Sequence, residues 1–549
     1  MHPLVEIRQA IGQAVQNKLS LKDIPLDPAP DFLRDRFDLA APIGFVLAPK
    51  GSGLKPLPLT QEAHQALPAT GAVETASVHP PCYINFRLHP DVLGSLCAQA
   101  AEGRYPGDFP WQALGAPSSV LLEFCSANPT GPLHFGHGRG ALLGDTLARI
   151  FKFTGARVHT EYYINDVGTQ IERLGASLEA RYHQEILGQK DRALPEEGYS
   201  GEYLRILAQR LPKNLELDAL GFSNIAKKEL LQVISNDLAA LGVNFDRWFA
   251  ESELHANNVV NATIERLKTG GYIEEKDGAL WFQSKNSAEE DKERVLRRRD
   301  GRTTYFASDL AYHEDKLKRG HDLCINIWGA DHHGYIPRVR LGLQALGLDP
   351  DRLEIILIQM VRLLRNGQPV TLSKRSGDYI TLREIAQEVG PEALRFFLNS
   401  RGPSAQLDFD LEIAKKQAPE NPVYLIQYAH ARIASIKREK AARNVSWPQE
   451  KDANIRLVLE QDQKTRDLAL SIVLFPEAIL SCALRRSGHY LANYLIELAR
   501  IFNGYYETHP MLSEPNPELA WSRFTLCRAV QNVLATGLGL LGISAPEKM

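Results

Sequence analysis

A strand, a turn rich in Gly and Pro, and a helix follow one another within residues 120–154, and this order limits the fold more than any other feature of the chain. Positions 120–124 are apolar except for Glu123, and apolar residues then recur at helical spacing over 136–154. The pattern predicts a buried strand that ends in a turn and continues as a helix. His134 and His137 fall where the predicted helix begins, so the N–H groups of its first turn would face the loop.

The same alternation continues along the chain and predicts a parallel sheet with helices on both faces. We assign an α/β Rossmann-type domain with a doubly wound sheet to residues 111–410. A charged stretch over about 170–300 interrupts the alternation, and we interpret it as a mostly helical insertion. The further predicted strands are 157–163, 323–328 and 353–360.

The two ends of the chain have a different character. A chain of 549 residues is too long for one hydrophobic core. Residues 1–110 are rich in Pro and Gly and end in a strand-like stretch at 82–88, which predicts an α+β N-terminal domain. Residues 411–549 are helical by period and predict an all-α bundle. One predicted stripe of this bundle contains Tyr424, Tyr428, Ile433 and Ile436.

Charge and cysteine content exclude several classes of protein. The 63 basic and 66 acidic residues give a formal net charge of -3, which excludes a polycationic protein but not a local basic face. The cysteines form no C-x-x-C pair, which argues against a disulfide framework or a zinc site. The N-terminus lacks a signal-type apolar core, and no apolar run approaches the ~18 residues of a membrane span. We therefore expect a cytoplasmic protein without a membrane segment.

The histidine turn is the first candidate site. Gly136 and Gly138 would let a flat, anionic ligand approach the backbone, and His134 and His137 would donate hydrogen bonds to phosphate oxygens. A four-residue pattern of this kind is weak evidence alone, since a histidine at a helix start is often only a cap or a packed core residue. Its place after a buried strand of an open α/β sheet favours nucleotide binding.

A basic loop at residues 370–377 is the second candidate. It contains Ser373 and Lys374 and ends in a glycine. The simpler interpretation is an exposed charged turn. A lysine on such a loop also suits the negative charge that develops on a leaving pyrophosphate.

Two further segments carry polar and aromatic side chains. Tyr305 and Asp309 stand four residues apart, so on a helix they share one face, and a ring beside a carboxylate suits a planar guanidinium. Glu251 is a second acidic candidate, although its spacing does not join it to that pair. The stretch 328–334 ends in His332 and His333, but no further zinc ligands stand at suitable spacing.

Taken in order, these motifs resemble class I aminoacyl-tRNA synthetases and, within them, the arginyl-tRNA synthetase family, from about residue 82 to the end. The resemblance rests on seven segments: Glu-Phe-Cys-Ser-Ala-Asn-Pro-Thr-Gly-Pro-Leu-His-Phe-Gly-His at 123–137, Glu-Tyr-Tyr-Ile-Asn-Asp at 161–166, Phe-Asp-Arg-Trp-Phe-Ala-Glu-Ser at 245–252, Thr-Tyr-Phe-Ala-Ser-Asp-Leu-Ala-Tyr-His at 304–313, Gly-Ala-Asp-His-His-Gly-Tyr at 329–335, Tyr-Ala-His-Ala-Arg-Ile at 428–433 and the closing 541–549.

The resemblance implies an arginine–tRNA ligase. Such an enzyme converts ATP, L-arginine and tRNA(Arg) into arginyl-tRNA(Arg), AMP and diphosphate through arginyl-adenylate, with ATP used as its Mg²⁺ complex and no zinc. It also implies a Rossmann-type catalytic domain, an N-terminal domain that contacts the tRNA elbow, a helical anticodon-binding domain, and a monomer.

Site residues follow from the matching motif positions. The resemblance implies catalytic roles for His134, His137 and Lys374. It implies ATP binding by His134, Gly136, His137, Ser373 and Lys374. It implies arginine binding by Ser126, Ala127, Asn128, His137, Glu251, Tyr305, Asp309 and His333.

Two features depart from the family pattern. The class I loop Lys-Met-Ser-Lys-Ser is Thr371-Leu-Ser-Lys374-Arg here and keeps only the second lysine. Many arginyl enzymes lose that lysine too and carry one just before the histidine turn, where this chain has Gly131. We therefore interpret Lys374 as the cation near the phosphates. The other departure lies at residues 28–38, which do not reproduce the acidic-Gly-aromatic motif of the family's N-terminal domain.

Two other classes of protein would share part of this pattern. A metabolite adenylyl- or cytidylyltransferase would have the histidine turn but would need neither the Tyr/Asp pair nor the C-terminal helices. A non-catalytic RNA-binding paralogue would have no need to retain His134, His137, Lys374, Tyr305 and Asp309 together. Both alternatives are less consistent with the sequence than the synthetase.

Overall fold

The structure is a computed structural model that describes residues 2–30, 33–283, 294–370, 379–448 and 454–549. Packing divides the chain into two compact units. One contains residues 1–116 together with 416–549, and the other contains residues 117–415. The three-domain boundaries drawn from the sequence stay a prediction.

The N-terminal part of the first unit has a four-stranded antiparallel sheet. The α+β character expected for this part is confirmed. The strands are β1 Asp27–Pro28, β2 Leu39–Ala41, β3 Val73–His79 and β4 Tyr83–Leu88, and the helices are α1 Pro3–Ala14, α2 Ile43–Leu47, α3 Pro56–Gln65 and α4 Pro90–Ala101.

The unit of residues 117–415 alternates strands and helices. Its strands are β5 Ser119–Glu123, β6 Arg157–Ile164, β7 Arg247–Ala250, β8 Ile273–Lys276, β9 Ala279–Phe282, β10 Val295–Arg297, β11 Leu323–Gly329, β12 Leu353–Ile358, β13 Val361–Arg365, β14 Gln368–Pro369 and β15 Leu407–Asp410. Its helices are α5 His137–Phe153, α6 Thr169–Glu185, α7 Glu202–Gln209, α8 Ala219–Ala240, α9 Glu251–Ala256, α10 Val259–Thr269, α11 Tyr305–Lys318, α12 Ile336–Ala345, α13 Leu382–Val389, α14 Pro391–Asn399 and α15 Leu411–Lys415.

The centre of this unit is a five-stranded sheet in the order β12-β11-β5-β6-β7. All of its neighbouring strands are parallel, so the doubly wound fold is confirmed. The chain runs outward from β5 through β6 to β7 and then returns to β11 on the other side. The strand order therefore reverses between β5 and β11, and the carboxyl ends of these two strands border the crevice where such sheets bind ligands.

Burial explains why the first strand was recognisable from the sequence. Every residue of β5 is buried, as expected for a central strand covered by helices on both faces. Helix α5 packs closely on this strand because Gly144 has no side chain. A Cβ at position 144 would stand 2.1 Å from the ring of Phe124.

The segment predicted as a mostly helical insertion also contains strands. Strand β7 lies within it and completes the central sheet next to β6. Strands β8, β9 and β10 form a separate three-stranded sheet in the order β10-β9-β8. The prediction missed them because each spans only three or four residues, too few for a clear period of two.

The C-terminal part of the first unit consists of helices α16 Pro422–Ala442, α17 Ile455–Leu459, α18 Gln463–Val473, α19 Phe475–Arg485, α20 His489–Thr508 and α21 Pro517–Leu540. This confirms the helical region. The predicted apolar stripe is wrong in part, because Ile433 and Ile436 are buried whereas Tyr428 is 37% exposed. The tyrosines lie on a different face of α16 from the buried isoleucines.

One apolar stretch was overlooked in the sequence. Among the described residues, Gln463–Arg485 is long and apolar enough to cross a membrane by length and composition alone. It comprises two helices, α18 and α19, and 67% of its most apolar window is buried inside the fold. This burial is typical of core helices.

Candidate functional site

A cavity of about 1030 Å³ opens at the carboxyl edge of the central sheet. Each strand of that sheet leads into a segment that lines it. The lining residues after the strands are Cys125–Asn128 after β5, Asn165 after β6, Glu251 after β7, Ala330–His332 after β11 and Gln359–Val361 after β12. The histidine turn contributes His134, Gly136 and His137, and α11 contributes Tyr305, Phe306 and Asp309.

The two histidines of the turn stack on each other. The ring centroids of His134 and His137 are 3.6 Å apart, with an interplanar angle of 25°. Burial lowers the pKa of both rings. For His137 the charge of His134 lowers the pKa as well, and it falls to about 3. Both imidazoles are therefore neutral at neutral pH, each with one donor and one acceptor nitrogen.

One nitrogen of the pair is available for a ligand. Nδ1 of His137 is buried and has no hydrogen-bond partner within the described parts of the chain. His137 is also the first residue of α5, where the helix dipole is positive and backbone N–H groups lack helical partners. The turn therefore offers hydrogen-bond donors and a positive potential to an anionic group.

The glycines of the turn serve different purposes. A Cβ at Gly136 would stand 2.9 Å from the His134 ring, so this glycine allows the histidine to fold back. A Cβ at Gly138 would meet Leu382 at 2.7 Å, and Gly138 does not line the cavity. The suggestion that Gly138 admits a ligand is therefore wrong, because its open side is filled by the neighbouring helix α13. Gly140 lines the cavity instead.

The turn is paired with the segment that begins at Tyr379. Phe135 N donates to Ile380 O at 3.1 Å, and Leu382 N donates to Leu133 O at 2.8 Å. The Tyr379 hydroxyl donates to Pro132 O at 2.7 Å, and its ring lies edge-on to His134. Ser373 and Lys374, which were predicted to bind ATP, lie outside the described residues.

A side chain at position 131 would have to displace the tyrosine hydroxyl that lies beside Gly131. A Cβ on Gly131 would stand 2.5 Å from the Tyr379 hydroxyl and 3.4 Å from the ring of Tyr203. Tyr203 also donates to Thr130 O at 2.5 Å. The two tyrosines therefore occupy the place of a side chain at this position.

Two carboxylates lie in the wall of the same cavity. Asp309 accepts a hydrogen bond from the Tyr335 hydroxyl at 2.5 Å. Burial raises the pKa of Asp309 to about 7, the Tyr335 hydrogen bond opposes this rise, and the charge of Glu251 adds to it. Tyr305 lies one turn before Asp309 on α11 and is 49% exposed. The structure thus brings both members of the predicted Tyr/Asp pair to one cavity.

Glu251 joins this pair, which sequence spacing could not establish. It is the first residue of α9, directly after β7, and only 3% of it is exposed. The Asn165 amide, oriented to suit its neighbours, donates to Glu251 Oε2 at 3.1 Å. The start of α9 is held by Asp166, which accepts hydrogen bonds from the backbone N–H and the hydroxyl of Ser252, both at 2.9 Å.

The turn after β5 contributes three predicted residues to the cavity. Ala127 and Asn128 line it, and Asn128 Nδ2 donates to Gln170 Oε1 at 2.8 Å. Ser126 also lines it, but its hydroxyl already donates to Glu123 Oε1 at 3.0 Å and accepts from Tyr163 N at 3.1 Å. Its single proton is therefore committed to the protein.

The cavity includes residues that had no predicted role, and it does not include one that had. His333 is not among the lining residues, whereas its neighbours Asp331 and His332 are. The other lining residues without a predicted role include Tyr163, Asn165, Gln170, Tyr335 and Gln359. Asn165 and Tyr335 lie inside the motif segments at 161–166 and 329–335, so those segments were the available signal. Among the described residues, no group of three or more His, Cys, Asp or Glu is arranged to hold a metal ion.

A second cavity, of about 570 Å³, lies on the helical part of the first unit between α16 and α20. Tyr424 and Tyr428 stack in parallel, with ring centroids 5.8 Å apart and 9° between their planes. The Arg432 guanidinium lies 4.7 Å from the ring centre of Tyr428 and 4.9 Å from that of Tyr506. Rings and guanidinium planes of this kind stack on the bases of single-stranded nucleic acid.

Comparison with known families matches both parts of the chain. Residues 111–404 match the family described as tRNA synthetases class I (R), catalytic domain. Residues 426–549 match the DALR anticodon binding domain. The first match covers more than half of the chain.

Individual proteins are similar along nearly the whole length. An arginine–tRNA ligase of Oleidesulfovibrio alaskensis is 42% identical over 524 residues, covering 93% of each chain. An arginine–tRNA ligase of Thioalkalivibrio sulfidiphilus is 39% identical over 588 residues, covering 99% of each. The solved arginyl-tRNA synthetase of Thermus thermophilus superposes with a TM-score of 0.75 at 25% identity, covering 99% of each chain.

Proposed function

Because the chain belongs to the arginyl-tRNA synthetase family of class I aminoacyl-tRNA synthetases, we propose that it converts ATP, L-arginine and tRNA(Arg) into arginyl-tRNA(Arg), AMP and diphosphate. The observation that carries the proposal is a single cavity lined by the histidine pair and by Tyr305, Asp309 and Glu251. A phosphate-type site and a guanidinium-type site therefore stand side by side.

The arginine side chain binds between the two carboxylates and the Tyr305 ring. A guanidinium has five N–H donors in one plane, which Asp309 and Glu251 accept at its edges while the ring covers its face. Asn128 and His137 bind the amino-acid end of the substrate, nearer to the phosphates. Ser126 contributes through the shape of its turn, because its proton is already donated to Glu123.

Adenylation brings the arginine carboxylate to the α-phosphate of ATP, which enters as its Mg²⁺ complex. An oxygen of the carboxylate forms a bond to the α-phosphorus while the bond to the bridging oxygen of diphosphate breaks. The products are arginyl-adenylate and diphosphate, and no side-chain nucleophile is needed. His134, Gly136 and His137 position the phosphates, since neutral imidazoles and helix N–H groups donate to their oxygens.

Transfer follows when the 2′-hydroxyl of the terminal adenosine of tRNA attacks the arginyl carbonyl. The ester forms as the bond to AMP breaks, and the hydroxyl proton leaves with the AMP phosphate or solvent. The cavity is open to solvent at Tyr305 and Met360, which are 49% and 78% exposed. We infer that the tRNA end enters at this side.

In this proposal Ser373 and Lys374 complete the ATP site, because they belong to the basic loop at residues 370–377. We expect Lys374→Ala to reduce the rate of adenylate formation by about 100-fold or more, since one preorganised cation on a developing charge contributes several kcal/mol. Diphosphate exchange measured with tRNA present checks this. A rate within a factor of about two of the wild type would contradict the role of Lys374.

tRNA(Arg) is the macromolecular partner that we propose, with the anticodon loop bound by the helical region of residues 411–549. The stacked Tyr424 and Tyr428 and the Arg432 guanidinium support this assignment. For the N-terminal region, residues 1–110, we retain the family's elbow contact as a proposal. We further infer that the protein acts in the cytoplasm as a monomer, does not associate with a membrane and binds no zinc ion.

Incubation with ATP, labelled arginine and total tRNA tests the proposed function. We expect acid-precipitable product that requires all three components. A metabolite nucleotidyltransferase would consume ATP without labelling tRNA, and an RNA-binding paralogue would bind tRNA without consuming ATP. Either result would overturn the proposal.

A further inference from the structure

A strained turn forms the floor between the two halves of the candidate site. Cys125 and Ser126, directly after β5, have φ values of +68° and +41°, a region that residues with a Cβ rarely adopt. Two consecutive residues in this region persist only where neighbouring groups hold them. The Ser126 hydroxyl helps to hold the turn, because it forms hydrogen bonds with both the Glu123 carboxylate and the backbone N–H of Tyr163.

The hydrogen bond between Ser126 and Glu123 depends on the orientation of the Glu123 side chain, which Lys316 fixes. Glu123 is 5% exposed, and its second oxygen accepts a hydrogen bond from Lys316 Nζ at 2.6 Å. Lys316 has no exposed surface. A buried carboxylate is costly without a partner charge, and the Lys316 side chain supplies this partner while it holds Glu123 toward Ser126.

Lys316 and Asp309 both lie on α11, and a second chain of hydrogen bonds ties this helix to β11. Lys316 Nζ also donates to Asn326 Oδ1 at 2.5 Å, and Asn326 Nδ2 donates to His313 Nε2 at 2.8 Å. His313 Nδ1 then donates to the backbone oxygen of Asp309 at 2.6 Å. Burial lowers the pKa of His313 to about 3, and a neutral ring donates at one nitrogen and accepts at the other, as this chain requires.

We propose that Lys316 is a positioning residue for arginine: from α11, the helix that also carries Asp309, it holds the Cys125–Ser126 turn through Glu123, and through Asn326 it fixes the helix against β11. The inference rests on the proposed arginine site. Lys316 touches no substrate, so its removal is expected to misplace the residues of the arginine pocket while leaving the histidine turn in place.

Lys316→Met tests this role, because it keeps the length of the side chain and removes the ammonium. The expected result is an arginine Kd, measured by calorimetry, that rises about 100-fold, since small displacements of positioned groups cost factors of this size. In aminoacylation, the KM for arginine is expected to rise in parallel. The KM for ATP is expected to change by less than about threefold.

The double variant Glu123→Gln with Lys316→Met separates positioning from stability. It removes the unpaired buried carboxylate, so its Tm is expected to return close to that of the wild type. Its arginine Kd is expected to remain at least about tenfold above the wild-type value, because no ammonium orients residues 123 and 326. This variant also keeps the test decisive where Lys316→Met alone does not fold.

Arg395→Met is the matched control in the same unit. Arg395 is also buried and paired with a carboxylate, Asp145, but it reaches the backbone oxygen of Leu241 rather than the Cys125–Ser126 turn. It is expected to lower the Tm without raising the arginine Kd more than about threefold.

Three results with the variants would overturn the positioning role. One is recovery of the wild-type arginine Kd together with the Tm in the double variant. Another is an equal rise of the KM values for arginine and ATP in Lys316→Met, and the third is an equal rise of the arginine Kd in Arg395→Met. A wild-type protein that binds arginine but does not charge tRNA would overturn the proposed function and leave the Kd comparison to decide on Lys316. A wild-type protein that binds no arginine would overturn both.

Discussion

At the scale of single residues, the site is defined by side chains whose protonation differs from that of the free amino acids. The stacked pair His134 and His137 is neutral because burial disfavours the charged ring. Neutral rings avoid mutual repulsion at a separation of 3.6 Å. In the proposed ATP site, the pair therefore donates hydrogen bonds to the phosphates, while positive potential comes from the start of α5.

This state of His137 makes the stability of the protein depend on pH. Its pKa is lowered from 6.5 to about 3 by folding, so the unfolded chain binds the extra proton and the stabilisation is lost as pH falls from about 6.5 toward 3. We expect His137→Asn to reduce the fall in unfolding free energy between pH 7 and pH 5 by about 2 kcal/mol.

Urea denaturation at the two pH values measures this difference. His332→Asn is a suitable control, because it makes the same substitution at a second histidine of the cavity, whose side chain is 57% exposed rather than buried. An unchanged pH dependence in His137→Asn would show that His137 is not buried in the neutral form.

In the proposed arginine site, Asp309 is expected to make arginine binding depend on pH around neutrality. Its pKa of about 7 means that a proton competes with the guanidinium below neutrality. We expect the KM for arginine to fall about tenfold between pH 6 and pH 8, because the ionised fraction of Asp309 rises by that factor. Asp309→Asn is expected to raise the KM and remove its pH dependence. A wild-type KM that stays constant over this range would contradict the assignment.

At the scale of secondary-structure elements, the site depends on how closely α5 packs on β5. Gly144 allows the Phe124 ring to fill the space where a Cβ would stand, and Phe124 directly precedes the strained turn. We expect Gly144→Ala to destabilise the protein by about 1–3 kcal/mol through overpacking and to raise the KM for arginine. Unfolding and aminoacylation assays measure the two effects.

Gly504 provides the matched comparison for this substitution. It lies within α20, is exposed, and has no atom within 4 Å of the position of a Cβ. Gly504→Ala is expected to stabilise its helix by about 0.5–1 kcal/mol from helix propensity alone. Gly144→Ala with the same stabilising effect would show that α5 is not held against Phe124.

The strand and helix pattern of the sheet was largely predictable, because buried parallel strands are continuous apolar runs. Strand β7 was not, since Arg247–Ala250 offers four residues with an arginine at one end. The role of Gly138 was also misjudged. A glycine pattern shows where side chains are missing, but only the packed structure shows that Leu382 fills the space.

The site residues divide in the same way. Tyr305 and Asp309 could be predicted as a pair because they lie one helical turn apart, and the structure places both in the wall of one cavity. Glu251 and Lys316 required tertiary structure, since they meet their partners across long stretches of chain. The pairing of Lys316 with Glu123 joins residues 193 positions apart, and no local pattern contains that information.

At the scale of the whole molecule, each compact unit carries a surface of different chemistry. The unit of residues 117–415 has the cavity with carboxylates and histidines. The unit with the chain termini has the cavity lined by Tyr424, Tyr428 and Arg432. The first suits a small cationic amino acid with a nucleotide, and the second suits unpaired bases.

This division predicts that the two surfaces affect different substrates. We expect Tyr428→Ala to raise the Kd for tRNA by about tenfold or more, because stacking on one base contributes about 1–3 kcal/mol. The arginine Kd is expected to stay unchanged. Filter binding of tRNA and calorimetry with arginine measure the two quantities. A variant that binds tRNA as well as the wild type would exclude this surface from recognition.

The central claim is that the cavity selects arginine by its guanidinium and activates the arginine carboxylate for transfer to tRNA. Aminoacylation of tRNA(Arg) with labelled arginine, in competition with unlabelled citrulline, tests it most directly, because citrulline has nearly the same shape but carries no charge. We expect arginine to be charged and citrulline at a tenfold excess to leave the rate almost unchanged, since buried carboxylates without a cation cost about 3–5 kcal/mol. Strong inhibition by citrulline, or no arginine-dependent charging, would contradict the account.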